Sequence, residues 1–154
     1  MITISQAIHW INRQKFFAEA DRVLQRDAII IAYDNYFQGQ MLGNPAFNDW
    51  YQAEFLKNYP APPRGRRAFD DASENPLDFV LKREELNENT LGFSAAEMVD
   101  YLVTITNVIA RVENGAQPIR EVYDWLAEGI KPFFDGSPKR FVFINPIWYL
   151  RRNS

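Results

Sequence analysis

The stretch from Ser94 to Leu126 constrains the fold more than any other part of the chain. Ser94-Ala95-Ala96-Glu97 has the form of a capping box: the Ser94 hydroxyl can accept the Glu97 amide while the Glu97 carboxylate reaches back to the Ser94 amide. Ala95, Met98, Leu102, Ile105, Ile109 and Val112 then recur at helical spacing, and Val99, Val103 and Val108 widen the stripe. Only a narrow polar seam of Glu97, Asp100, Thr104, Asn107 and Arg111 remains, so the spacing predicts a helix at the centre of the domain. Asn114-Gly115 supplies a stop, because glycine accepts the left-handed conformation that closes a helix. Pro118 starts a second helix with Ile119, Val122, Tyr123 and Leu126 on its buried face. The short connection predicts a central antiparallel helix hairpin over about 94–128.

The first fifty residues also read as helical. Ser5 is placed to cap a segment with Ile8 and Ile11, and the apolar phase slips near Gln14 before resuming at Phe17, Ala20 and Leu24. Ile29, Tyr33, Tyr36 and Phe37 fit a third helix after Asp27, although the β-branched run Ile29-Ile30-Ile31 leaves a strand open as the alternative. Asn44-Pro45 is a clear helix start, followed by Phe47, Trp50, Tyr51 and Phe55. Asn75-Pro76 repeats the device before Leu77, Val80 and Leu81. After Gly129, prolines punctuate short runs, and Arg140-Phe141-Val142-Phe143-Ile144 has strand composition. The expected fold is therefore mainly α. It comprises a compact multi-helix domain over residues 1–136, interrupted by an irregular Pro/Arg loop at 60–75, and an extended C-terminal arm over 137–154.

Composition narrows the function classes. The chain has no cysteine and one histidine against twelve Phe, seven Tyr and four Trp, which removes thiolate chemistry and favours cores and interfaces. No cofactor and no metal site are expected. Neither a nucleophile elbow, a phosphate-binding loop nor a dinucleotide fingerprint occurs, and no catalytic residue stands out. His9, the lone imidazole beside Trp10, reads as a structural residue of the first helix. The net charge of −3 does not favour nucleic acid as a partner. No apolar run approaches the ~20 residues of a membrane span, so the expectation is a soluble, cytoplasmic chain without a membrane partner.

Two segments remain as candidate sites. In Pro60-Ala61-Pro62-Pro63-Arg64-Gly65-Arg66-Arg67-Ala68-Phe69, a stiff proline path presents three guanidiniums suited to bidentate recognition of carboxylates or phosphates, with Phe69 to dock its end. In the arm, Trp148, Tyr149, Arg151 and Arg152 combine residue types enriched at binding hot spots. Both point to a non-enzymatic interaction, assembly or adaptor protein of a multi-subunit complex, a virion component among them, with a protein partner or self-association. The alternative is an anion-binding module that uses the arginine cluster on a phosphate-bearing ligand or RNA. The third is a carboxylate-based or cofactor-dependent enzyme.

Overall fold

The computed structural model describes residues 1–63, 69 and 79–152, so Asn75, Pro76 and the loop arginines lie outside the described residues. The chain begins with strand β1 (Ile2–Ser5), a 3-10 turn at Ile8–Trp10 and helix α1 (Arg13–Val23). Strands β2 (Ile29–Tyr33) and β3 (Tyr36–Met41) follow, then a helical stretch of α2 (Pro45–Trp50), a π-turn at Tyr51–Phe55 and α3 (Leu56–Asn58). The remainder is β4 (Phe79–Phe93), α4 (Ala95–Thr104), α5 (Thr106–Glu113), α6 (Ile119–Ile130), a 3-10 turn at Lys131–Phe133 and β5 (Lys139–Arg152). The strands hydrogen-bond in the order β1-β2-β5-β3, and β4 also pairs with β5.

This is a mixed α/β fold, 44% helix and 32% strand, and not the mainly α domain expected. The reason lies in the first forty residues and the last fifteen. Ile29-Ile30-Ile31 is a strand, since β-branched side chains lose little freedom on a pleated surface. Ser5 ends a strand and caps no helix; Asn12 caps α1 by accepting the Lys15 amide at 3.0 Å. Val80 and Leu81, expected on a helix, belong to β4. The C-terminal arm is no appendage: β5 pairs antiparallel with β2, Ile29 facing Arg151 and Tyr33 facing Ile147.

Two compact units divide the chain. The first comprises residues 1–36, 64–88 and 144–154. Its core gathers Ile4, Ile8, Phe17, Ala20, Ile30, Ala32, Phe69, Phe79, Trp148 and Leu150. Here β1 runs parallel to β2, with Ile2 beside Ile30 and Ser5 beside Tyr33, and α1 lies in the connection that a parallel pair requires.

The second unit comprises residues 37–63 and 89–143. Its aromatic core joins Phe37, Phe47, Tyr51, Phe55, Tyr59, Phe141 and Phe143 to the buried faces of α4 and α6. The capping box forms as expected, with the Glu97 amide donating to Ser94 Oγ at 3.3 Å and the Ser94 amide to Glu97 Oε2 at 2.8 Å. The long central helix does not continue beyond Thr104. Ile105 is extended at φ −72° and ψ 145°, and the Thr104 hydroxyl donates to the Tyr101 carbonyl at 2.7 Å. A β-branched pair with a back-bonding hydroxyl competes with helical continuation, and α5 restarts from the Ile105 carbonyl. The hairpin is thus interrupted, and α6 packs chiefly on α4. Ile119 and Tyr123, expected on the buried face of α6, are 51% and 37% exposed. Gly39 has φ +72°, and a Cβ there would stand 2.2 Å from the Tyr51 ring, so that core can close only over a bare glycine. No helix among the described residues is long and apolar enough to cross a membrane.

Three outcomes follow from this packing. Leu102→Ala, at a fully buried position, is expected to cost about 2–5 kcal/mol in denaturant unfolding. Deleting residues 147–154 removes the strand partner of β2 together with Trp148 and Leu150, so circular dichroism should show loss of cooperative melting in place of a stable core. Burial pushes the Tyr101 phenol up from 10.0 to about 12, which favours the neutral form in the folded state. Its contribution is complete below the unfolded pKa and is lost as pH rises through the folded one, so stability should decline across that alkaline window. Tyr101→Phe should lessen the decline when urea midpoints at about pH 9 and about pH 11.5 are compared.

Candidate functional site

In open α/β sheets, ligands bind outside the carboxyl ends of the parallel strands, where the connecting loops leave the sheet. In the first unit that edge is where β1 and β2 end. Because Ser5 stands beside Tyr33, the next residues, Gln6 and Asp34, leave the pair at the same level. The Gln6 amide donates to the Tyr33 carbonyl at 2.9 Å, which ties the two exits together. Gln6 has φ +51°, a left-handed conformation unusual for a residue with a side chain. It turns the chain sharply into the Ile8–Trp10 turn, where the Trp10 amide donates to the Ala7 carbonyl at 2.9 Å.

This geometry sinks Ile8 and His9 and leaves Trp10 half exposed. His9 is 6% exposed, and its ring lies 4.9 Å from the Trp10 ring with the planes tilted by 48°. On the β2 side Tyr33 is 41% exposed while Asp34 is 4% exposed, and the Asp34 amide donates to the Pro146 carbonyl at 3.0 Å. His9 and Asp34 are the buried polar residues among the described ones, and both belong to this one edge. Two titratable side chains buried at the edge where such sheets bind ligands make it the candidate functional site. An imidazole can move a proton near neutral pH, a carboxylate can orient it or a ligand donor, and an exposed indole can stack on a substrate.

The residues singled out from the sequence fall elsewhere. Arg64, Arg66 and Arg67 lie outside the described residues. Phe69 is buried in the first unit's core, its ring 5.6 Å from Trp148 and 6.4 Å from Phe17, with the Arg13 guanidinium 4.6 Å from its centroid. Trp148 is 4% exposed, and its indole donates to Glu84 Oε1 at 2.8 Å. The Arg83 guanidinium lies 5.6 Å from the Tyr149 ring, and burial together with Glu85 raises the Tyr149 pKa. Arg152 pairs with Asp21 at 2.6 Å and donates to the Asp21 carbonyl at 2.8 Å, while Arg151 is exposed. The structure therefore brings Phe69 and Trp148 together as core, away from solvent. Sequence spacing does not reveal His9 and Asp34 as a site, because Ser5 has the form of a helix cap and places His9 on a first helix. The one signal is the Ile-Thr-Ile-Ser alternation three residues before His-Trp, and four residues are too few to separate a strand from a helix entry.

No protein-family model and no curated protein matches the chain. Among solved structures, a candidate type II methyltransferase from Anaeromyxobacter dehalogenans aligns with 97% of the chain at a TM-score of 0.61 and 22% identity. The chain shares that fold. It spans 63% of the length of that protein. A candidate methyltransferase from Bacillus halodurans C-125 aligns with 99% of the chain at a TM-score of 0.47 and 19% identity, again over 63% of its own length. The likeness is to an enzyme fold, and it overturns the expectation of a non-enzymatic adaptor or assembly protein.

Proposed function

We propose that the chain takes part in methyl transfer, with the carboxyl edge of β1 and β2 as the acceptor side of the reaction. One observation carries the reading: in a fold shared with a candidate methyltransferase, a buried histidine and a buried aspartate stand at the edge where α/β sheets bind ligands. When an O–H or N–H acceptor takes a methyl group, its lone pair forms the new bond to carbon. The bond from carbon to the donor breaks with its electrons going to the donor, and the acceptor's proton must leave. His9, held by the turn after β1, is the group suited to receive that proton. Asp34, at the neighbouring exit, would hold the resulting imidazolium or orient the acceptor, and Trp10 would cover it.

A nucleotide-bearing methyl donor is ordinarily cradled by a glycine-rich turn after a parallel strand. The turns that leave β1 and β2 begin Gln6-Ala7 and Asp34-Asn35 and contain no glycine, so these residues do not fit a donor cradle. The reading accordingly assigns this edge to the acceptor alone.

Label transfer from methyl-tritiated S-adenosylmethionine, a common biological methyl carrier, into a small-molecule acceptor pool tests the proposal. His9→Gln should lower the rate by about 10²-fold or more with little change in melting temperature. Equal rates in wild type and His9→Gln, or no transfer by wild type, would contradict it.

A further inference from the structure

The second unit contains a cleft of about 560 Å³, within the size range of small-molecule sites and apart from anything used above. Its apolar surface comes from Val99 on α4, Ala127 and Ile130 on α6, and Phe134 beyond it. Three hydroxyls stand among these residues, those of Ser94, Tyr123 and Ser137.

The hydrogens of all three hydroxyls are already committed. Ser94 Oγ donates to Glu97 Oε2 at 2.8 Å, and the Tyr123 hydroxyl donates to Asp100 Oδ1 at 2.8 Å. Ser137 Oγ donates to Asp135 Oδ1. A hydroxyl has one hydrogen and two lone pairs. Ser94 uses one lone pair on the Glu97 amide and Ser137 one on Lys139 Nζ, so each oxygen keeps acceptor capacity and no donor. Behind each stands a carboxylate that polarises it. The Ser94 amide bond holds the Glu97 carboxyl below its usual range, and Lys139 and Ser137 hold Asp135 well below its own, so both stay ionised at neutral pH. Of the three carboxylates, Asp135 pairs with Lys139 at 2.7 Å.

We infer that this cleft binds a small apolar or aromatic body carrying a protonated amine, whose N–H groups donate to the lining hydroxyl oxygens of Ser94, Tyr123 and Ser137. An acidic ligand of the same shape would meet three oxygens with no hydrogen to offer. Lys131 is the one cation in the lining; it is exposed, as are Glu97, Asp100 and Asp135, so water screens all of these charges and the acceptor character of the three oxygens sets the preference. The inference is independent of the methyl-transfer reading, because it uses neither His9 nor Asp34.

Isothermal titration with 2-phenylethylamine and 3-phenylpropanoate, similar bodies of opposite charge, tests it. The amine should bind at least about tenfold more tightly than the acid, since charge-assisted hydrogen bonds are the stronger kind. Tyr123→Phe removes one acceptor and should weaken the amine about fivefold. Ala127→Phe should fill the cleft and abolish binding, and Ala96→Leu, at an exposed lining position, provides the same test if the first variant folds poorly. No binding of the amine, equal or tighter binding of the acid, or amine affinity unchanged in a folded cleft-filling variant would overturn the inference.

Discussion

The pairing of β5 is the constraint on which the rest of the structure depends. In the first unit its C-terminal half gives β2 an antiparallel partner from Ile29 to Tyr33 and places Trp148 and Leu150 in the core. In the second unit its N-terminal half contributes Phe141 and Phe143, whose rings meet Phe37 at 5.9 and 5.4 Å. Each such buried side chain contributes roughly 1.5–3 kcal/mol, so the last fifteen residues carry a large share of both cores. Pro146, which cannot donate to a ladder, still serves as an acceptor for the Asp34 amide. That bond fixes the backbone where β2 ends, and so helps hold the candidate site.

The site follows from the parallel geometry of β1 and β2 more than from any motif. Parallel neighbours send their chain exits to the same edge, and the Ser5–Tyr33 register puts Gln6 and Asp34 level there. The left-handed Gln6 is the local strain that turns the backbone and sinks His9 behind Trp10. A histidine in the same sequence position on a regular helix would have no reason to share an edge with Asp34, twenty-five residues onward.

What the sequence revealed was chemistry that acts within a few residues. The Ser94 capping box, the Asn44-Pro45 start and the Asn114-Gly115 stop all form as read, because each is a hydrogen bond or backbone preference between near neighbours. Strands depend on partners far along the chain. β1 has four residues and one buried position, too few to establish a period, and β4 exposes most of its charged length, so neither shows clear alternation. The break at Ile105 was hidden for another reason: the apolar stripe runs on through it, while the Thr104 back-bond and the Asn107 side chain donating to the Tyr59 carbonyl at 2.8 Å redirect the backbone. His9 was legible as a residue and illegible as a site, since its meaning comes from β1 and β2 lying parallel.

Amide hydrogen exchange along β5 and β2 examines the central claim, that the C-terminal segment is a core strand, most directly. The amides of residues 29–33 and 147–151 that lie in the shared ladder should exchange together and be among the slowest in the first unit, since they open only when that unit unfolds. Rapid exchange across 147–151 alongside slow exchange in α1 would show an arm detached from its sheet and contradict the account.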